Sequence, residues 1–184
     1  MPERIIVGIS GSSGSILGVR LLEVLKGKLE THLIITETAK KLIEHETKYK
    51  VKDVEKLASK VYDNKDFFAS IASGSFQTKG MVVIPCSMKT LGGIASGYSD
   101  DLLLRSADVC LKERRKLVLV TRETPLSLIH IENMHKVSLA GGIILPPVLT
   151  MYSKPEKIGE MVDHIIGKVL DSLGMENKVY RRWG

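Results

Sequence analysis

A run of small and hydroxyl-bearing residues, Ser10-Gly-Ser-Ser-Gly-Ser15, follows the first apolar segment of the chain. Small side chains let the backbone approach a ligand closely, and a helix start presents free N–H groups and the positive end of its dipole to an anion. The run is neither the dinucleotide fingerprint nor a P-loop, because its glycine spacing differs and no Lys-Ser or Lys-Thr pair follows. The pattern favours a phosphate site, with a tight strand-to-helix turn as the alternative.

Three more segments place polar side chains directly after apolar runs. Thr36 ends the second run, Cys86-Ser-Met-Lys-Thr90 ends and follows the third, and Arg122-Glu123 follows the fourth. An Arg beside a Glu could anchor an anion next to an acid/base group, although such a pair is a surface ion pair in most proteins. Because Thr36 rather than an acidic residue ends the second run, the pattern favours a mononucleotide over a dinucleotide.

Cysteine and histidine offer weaker chemistry. Cys86 and Cys110 lie 24 positions apart with no neighbouring Cys or His pair, which excludes a zinc finger and a disulfide scaffold. A lone cysteine such as Cys86 is more often a small buried residue than a nucleophile. His130 and His135 are five positions apart, so they share a helix face poorly, and a metal site is disfavoured.

These polar segments need a scaffold, and alternating apolar patterns predict one. Short runs rich in β-branched residues predict strands over 4–9, 32–36, 81–85, 116–121 and 141–146, with a short strand near 61–62. Periodic apolar residues predict helices over 14–26, 38–48, 88–96, 101–114, 127–138 and 155–173. Alternating strands and helices imply an α/β fold: a single doubly wound parallel sheet in one domain, residues 1–184. Its ligands would bind outside the carboxyl ends of the strands.

Composition limits the class of protein. The chain has 184 residues, 43% hydrophobic and 26% charged, as in a globular domain with a full core. We expect a cytoplasmic protein, because no signal peptide precedes the first strand and no apolar stretch reaches the roughly 18 residues of a spanning helix. The net charge is +6, but only Lys112-Glu-Arg-Arg-Lys116 is densely basic and no aromatic residue interleaves it, which disfavours nucleic-acid binding.

Nine motifs occur in the order of a known family. They are Gly11-Ser-Ser-Gly14, Glu44-His-Glu-Thr47, Pro85-Cys-Ser-Met-Lys-Thr90, Ala107-Asp108, Leu111-Lys-Glu-Arg-Arg115, Arg122-Glu-Thr-Pro125, His130-Ile-Glu-Asn-Met134, the loop around Tyr152, and Arg182-Trp-Gly184. This set resembles the UbiX-type flavin prenyltransferases over essentially the whole chain.

The resemblance implies a flavodoxin-like or Rossmann-like three-layer sandwich that forms a homo-oligomer, typically a dodecamer. It implies that reduced FMN and dimethylallyl monophosphate are the substrates, that no metal is needed, and that the products are phosphate and prenylated FMN. The prenylated FMN would serve as the cofactor of a partner UbiD-type decarboxylase. The resemblance leaves open whether the donor is a monophosphate or a diphosphate.

The resemblance also assigns roles to individual positions. FMN would be held by Gly11, Ser12, Ser13, Thr36, Ser87, Met88, Lys89, Thr90 and Arg122. The prenyl phosphate would be held by Ser73, Arg105, Lys112, Tyr152 and Lys168, some of them from neighbouring subunits. Glu46, Glu123 and Ser13 would be catalytic, and Trp183 would be the family's C-terminal aromatic residue. Two positions depart from the family pattern: Lys168 replaces an Arg, and Phe67 stands where a Trp often closes the site.

Three alternatives remain at this point. An FMN-dependent cysteine decarboxylase would use flavin as an oxidant, and Lys112, Tyr152 and Lys168 would have no evident role in its chemistry. A non-catalytic FMN carrier would bind flavin without turnover. Nucleic-acid binding through residues 112–116 would show a steep salt dependence.

Overall fold

A computed structural model describes residues 3–183, and its centre is a six-stranded parallel sheet. The strands are β1 (Arg4–Ile9), β2 (Glu30–Ile35), β3 (Lys60–Tyr62), β4 (Gly80–Cys86), β5 (Lys116–Thr121) and β6 (Ile143–Ile144). Their order is β3-β2-β1-β4-β5-β6. The chain thus builds one half of the sheet outward from β1, then returns to the other side of β1 and builds the second half. This is the Rossmann order of the doubly wound fold.

Helices cover both faces of this sheet. They are α1 (Ser15–Leu25), α2 (Glu37–Glu46), α3 (Val51–Glu55), α4 (Met88–Ser96), α5 (Leu102–Lys112), α6 (Leu128–Leu139) and α7 (Ile158–Leu173). Apolar side chains of α1, α2 and α7 form one core with the sheet, whereas those of α4, α5 and α6 form the other. The predicted three-layer α/β sandwich is therefore confirmed.

The strands supply both cores at once. In β1, Ile5, Val7 and Ile9 face one core while Ile6 faces the other, and each of the four is at most 2% exposed. A strand buried on both faces must be apolar throughout, which is why the sequence shows continuous apolar runs rather than an alternating pattern. None of the helices within residues 3–183 is long and apolar enough to span a membrane.

The structure differs from the predicted elements in three places. The short helix α3 was not predicted, because only Val54 of its five residues is buried and five residues show no periodicity. Strand β6 is two residues long instead of six: Gly141 has a φ of 99° and Pro146 follows closely, so the extended ladder is short. Helix α7 begins at Ile158 rather than at Pro155.

Candidate active site

The sheet reverses its winding between β1 and β4, and the crevice at such a point is where doubly wound proteins bind ligands. Ser10, which is fully buried just after β1, joins the two strand ends. Its hydroxyl donates to the carbonyl of Pro85 at 2.9 Å and accepts from the N–H of Ser87 at 2.8 Å. These bonds fix the loops after β1 and β4 side by side, so both predicted polar segments line one crevice.

The start of α1 already holds an anion, the side chain of Glu46 from the last turn of α2. Its Oε2 accepts hydrogen bonds from the N–H of Gly14 at 2.9 Å and of Ser15 at 3.1 Å. Partial burial disfavours the charged carboxylate. Hydrogen bonds from the Ser13 hydroxyl and from these two N–H groups outweigh burial and lower the pKa of Glu46. The expectation that this helix start offers free N–H groups to a phosphate is thus wrong for Gly14 and Ser15.

A cleft of about 400 Å³ opens beside this turn, where the starts of α2 and α4 converge. Thr36 caps α2 by accepting from the N–H of Ala39 at 3.3 Å, and Ser87 caps α4 by accepting from the N–H of Thr90 at 3.3 Å. Two helix N-termini that point at one cleft make it favourable for an anion. Gly11 is required here, because a Cβ atom would lie 2.8 Å from the side chain of Thr38.

The cleft brings together five residues that the sequence nominated and four that it did not. The five are Gly11, Thr36, Ser87, Lys89 and Thr90, and the four are Glu37, Thr38, Asn64 and Asp101.

Lys89 provides a cation at the mouth of the cleft. Its side chain is 70% exposed, and its Nζ lies 3.7 Å from Asp101 and 3.9 Å from Asp100. These are loose contacts in solvent, so Lys89 is available to a ligand phosphate. Glu37 also lines the cleft and pairs with Lys40 at 2.6 Å. An acidic residue therefore does lie near the end of β2, which removes the sequence argument against a dinucleotide.

A second cavity, of about 240 Å³, lies at the carboxyl end of β5 and contains Arg122 and Glu123. The backbone of Arg122 is fixed, because its N–H donates to the carbonyl of Cys86 at 3.1 Å and its carbonyl accepts from the Ser12 hydroxyl at 3.0 Å. Among residues 3–183, Thr121 is one of few with a buried hydroxyl that has no partner, and it lines this cavity. An unpartnered buried hydroxyl is a group that a bound ligand could satisfy.

The predicted prenyl-phosphate residues fall into two groups. Ser73, Arg105 and Lys112 lie along α5 and the loop before β4. From α5, the Arg105 guanidinium donates to the carbonyl of Ala72 in this loop at 3.2 Å and to Asp108 on the same helix at 2.6 Å, while Lys112 pairs with Glu113. Arg115, which was not predicted, holds the same loop through the carbonyls of Phe76 and Gly74, at 2.7 and 2.5 Å.

Tyr152 and Lys168 form the second group, with α7 and the C-terminal residues. The rings of Tyr152 and Trp183 meet edge to face at 5.1 Å, and Nζ of Lys168 lies 4.0 Å from Asp171. Helix α7 packs on one face of the sheet and α5 on the other. The structure therefore does not bring the two groups together within one chain.

Cysteine and histidine chemistry is not supported by the geometry. Cys86 is fully buried, and burial raises the pKa of its thiol far above the ordinary value. Burial likewise raises the pKa of Cys110 to about 12. His130 belongs to a capping box with Ser127 at the start of α6. In residues 3–183, no cluster of three or more His, Cys, Asp or Glu residues is arranged to hold a metal ion.

Sequence reasoning missed several residues that shape the site. Asn64 holds the start of α5, because its carbonyl and side-chain oxygens accept from the N–H groups of Leu102 and Leu103 at 2.8 and 2.9 Å. Asp101 caps the same helix through the N–H of Leu104 at 2.8 Å. The Asp-Asp pair before an apolar helix was a readable cap signal. Nothing local marks Asn64, since its role depends on a contact 39 positions away.

Comparison with known proteins first gives the broad class. A family model described as Flavoprotein matches residues 1–170. A probable UbiX-like flavin prenyltransferase from Sedimentibacter hydroxybenzoicus is 54% identical over 182 residues, covering 98% of this chain and 96% of its own.

Two crystal structures share the fold closely. AnUbiX, solved in complex with FMN and dimethylallyl pyrophosphate, has a TM-score of 0.99 and 45% identity, over 100% of this chain and 98% of its own. A dodecameric FMN-dependent UbiX-like decarboxylase from Escherichia coli O157:H7 has a TM-score of 0.96 and 50% identity, over 98% and 99% of the two chains. The chain belongs to the UbiX-type flavin prenyltransferase family, which confirms the resemblance read from its motifs.

Proposed function

We propose that this chain transfers a dimethylallyl group from dimethylallyl monophosphate to N5 and C6 of reduced FMN. The observation that supports this most is the anion-favouring cleft at the β1–β4 crevice, with two capped helix starts and Lys89 at its mouth. It lies at the point where doubly wound folds bind nucleotides, in a chain of the flavin prenyltransferase family.

The phosphate of FMN binds at the start of α4 rather than at that of α1. Glu46 fills the α1 start with its own negative charge, and a second anion there would be repelled. At α4, by contrast, Ser87 and Thr90 supply hydroxyl groups and Lys89 supplies a cation. Gly11 and Ser12 then border the remainder of the flavin, with Thr36 and Arg122 on either side of them.

Transfer breaks the C–O bond between the dimethylallyl carbon and the phosphate oxygen, forms a C–N bond at N5, and releases the proton on N5. A proton then adds to the prenyl double bond, the tertiary prenyl carbon bonds to C6 and closes a ring, and the proton on C6 leaves. Positive charge that develops on the prenyl group is stabilised by aromatic faces, for which Phe67 and Trp183 are candidates. Cationic and hydroxyl side chains stabilise the departing phosphate.

The lowered pKa of Glu46 suggests how the two carboxylates divide the work. Glu46 is ionised at neutral pH and accepts from Ser13, Gly14 and Ser15, so it acts as a fixed negative charge rather than as an acid. Glu123 or the released phosphate accepts the proton from C6. Ser13 acts through its hydrogen bond to Glu46.

The donor site is completed by neighbouring copies of the chain in a homo-oligomer, as in a dodecamer. Ser73, Arg105 and Lys112 lie across the sheet from Tyr152 and Lys168, so a single phosphate can meet both groups only between chains. An apolar surface suits such assembly: on α6, Leu128, Ile129, Ile131 and Leu139 are each at least 50% exposed. A relative with 50% identity is described as dodecameric.

The test is an anaerobic reaction of the protein with reduced FMN and either dimethylallyl monophosphate or dimethylallyl diphosphate. We expect consumption of FMN and stoichiometric release of phosphate with the monophosphate. Turnover with the diphosphate alone, with release of pyrophosphate, would move the assignment to the other donor. Bound FMN that neither donor changes would favour a flavin carrier or a flavin-dependent cysteine decarboxylase.

The remaining expectations follow from the same proposal. The product passes to a UbiD-type decarboxylase, and the reaction needs no metal. Residues 1–184 act as one flavin-binding domain in the cytoplasm, without nucleic-acid or membrane partners. Each of these stays a prediction, to be tested by transfer of the product to a decarboxylase and by activity in the presence of a chelator.

A further inference from the structure

One carboxylate on α7, that of Asp171, makes most of the polar contacts of α7 with the C-terminal segment, residues 175–183. Oδ1 of Asp171 accepts from Arg182 at 2.7 Å and from Asn177 at 2.8 Å. Its Oδ2 accepts from the Tyr180 hydroxyl at 2.7 Å and from a second Arg182 nitrogen at 3.0 Å. The forked pair with Arg182 and the hydrogen bonds from Tyr180 and Asn177 lower the pKa of Asp171 to about 2. The carboxylate therefore binds three residues of the segment at once.

Helix α7 also leaves space for this segment at Gly167. Gly167 is one helical turn before Asp171, and a methyl group at this position would overlap the ring of Tyr180. A glycine in the middle of a helix costs stability relative to alanine. Here it gives Tyr180 the space to lie flat against the helix. Two independent features of α7, one ionic and one steric, thus fix the same segment.

A series of aromatic contacts connects Tyr180, which Asp171 and Gly167 hold on α7, to Tyr152. The ring of Tyr180 meets His164 edge to face at 4.8 Å, and His164 meets Tyr152 at 5.6 Å. Trp183 also meets Tyr152 edge to face, at 5.1 Å. Tyr152 lies in an irregular loop, and its hydroxyl donates to the carbonyl of Arg181 at 3.5 Å. The rings and the C-terminal segment together therefore determine where this hydroxyl points.

The hydrogen bonds to Asp171 also keep this carboxylate from pairing closely with Lys168. Arg182, Tyr180 and Asn177 supply four short hydrogen bonds to the two oxygens of Asp171, and Nζ of Lys168 stays 4.0 Å away. A carboxylate with fewer partners would compete with a substrate phosphate for this lysine. Saturation of Asp171 by the segment prevents that competition.

We propose that Asp171 is a positioning residue, which fastens the C-terminal segment to α7 so that Tyr152 is oriented and Lys168 is available for the phosphate of the prenyl donor. This inference rests on the proposed function, because it concerns binding of the donor. Asp171 itself does not touch the substrate.

The test uses Asp171→Asn in the full-length chain. Trp183 is the only tryptophan, so its fluorescence reports the segment directly. We expect the variant to show stronger acrylamide quenching of Trp183 and a KM for dimethylallyl monophosphate raised by about tenfold or more, the effect of losing charge-assisted hydrogen bonds. The dissociation constant for FMN should not change, because the residues assigned to FMN follow β1, β2, β4 and β5.

Gly167→Ala tests the same inference without altering any charge. The added methyl group displaces Tyr180, whereas alanine favours the helix itself, so the variant should release the segment without weakening α7. We expect the same rise in donor KM and in Trp183 quenching as for Asp171→Asn.

Asp163→Asn is the matched control on the same helix. Asp163 pairs with Arg20 at 2.7 Å and is nearly as buried as Asp171. It lines a cavity beside Tyr180, but within residues 3–183 it has no hydrogen bond to the C-terminal segment. Its loss should lower stability and leave the donor KM and the Trp183 quenching at wild-type values.

Two results would overturn the inference. The first is that Asp171→Asn and Gly167→Ala release the segment but leave the donor KM unchanged. The second is that Asp163→Asn changes the donor KM equally, which would indicate a merely structural role for Asp171. Failure of the proposed function would look different, because the wild-type protein itself would then form no prenylated flavin.

Discussion

Replacement of Glu46 by Gln tests both the architecture of the site and its chemistry. The glutamine side chain has the same shape and keeps one oxygen acceptor for the N–H groups of Gly14 and Ser15. It removes the negative charge from the start of α1. The protein should therefore fold and bind FMN, but with a lower free energy of unfolding and a slower prenyl transfer.

The size of the stability effect follows from two contacts. The carboxylate accepts hydrogen bonds at 2.9 and 3.1 Å, and bonds to a charged acceptor are roughly twice as strong as neutral ones. Loss of the charge also removes about 0.3–1 kcal/mol of interaction with the helix dipole. Because Glu46 is partly exposed and solvent screens its charge, we expect a total loss of about 1–2 kcal/mol.

The assay is urea unfolding at a fixed protein concentration, with Glu44→Gln as the matched control on the same helix. The folded-state pKa of Glu46 lies below its ordinary value of 4.5. The stabilisation is therefore fully present above pH 4.5 and is lost as the pH falls through the folded-state pKa. A Glu46→Gln variant as stable as wild type at pH 7, or one whose deficit persists in strong acid, would refute this reasoning. Unchanged single-turnover rates would refute the catalytic role.

Three further predictions concern the packing, the thiols and the flavin phosphate. Gly18→Ala should lower the free energy of unfolding in urea by about 1–3 kcal/mol, because its Cβ would lie 2.6 Å from a β4 carbonyl. Gly159→Ala is the control, since no atom lies near its Cβ, and it should be neutral or stabilising. Equal effects of the two substitutions would contradict this explanation from packing. Cys86 and Cys110 should resist a thiol reagent in the native protein and react only on unfolding, and rapid native labelling would argue against their burial. Lys89→Met should weaken FMN binding about tenfold but leave riboflavin binding unchanged in fluorescence titrations, and equal losses for both flavins would place the phosphate elsewhere.

The sequence predicted the parts of the site that depend on one strand end at a time. Apolar runs located the strands, and the residues after them, Thr36, Ser87 and Arg122, do lie along the predicted edge of the sheet. Buried parallel strands are apolar on both faces, so their ends stand out from the polar loops that follow. The doubly wound arrangement then places these ends side by side.

The rest of the site depends on pairings that a linear pattern does not contain. Glu46 reaches the start of α1 across 32 positions, and in the proposed function its charge there directs the flavin phosphate to α4. Tyr152 and Trp183 meet in a C-terminal segment that is bonded to Asp171 of α7, and no local signal shows this pairing. The two groups of predicted donor residues lie on opposite faces of the sheet, which only the packing of α5 and α7 reveals.

The most direct test of the account is the mass of the flavin released after one anaerobic turnover with reduced FMN and dimethylallyl monophosphate. We expect a gain of one C5H8 unit on reduced FMN, with one phosphate released per flavin. Recovery of unmodified FMN, from a sample in which every site is saturated with reduced FMN and the donor, would contradict prenyl transfer even if the flavin had been tightly bound.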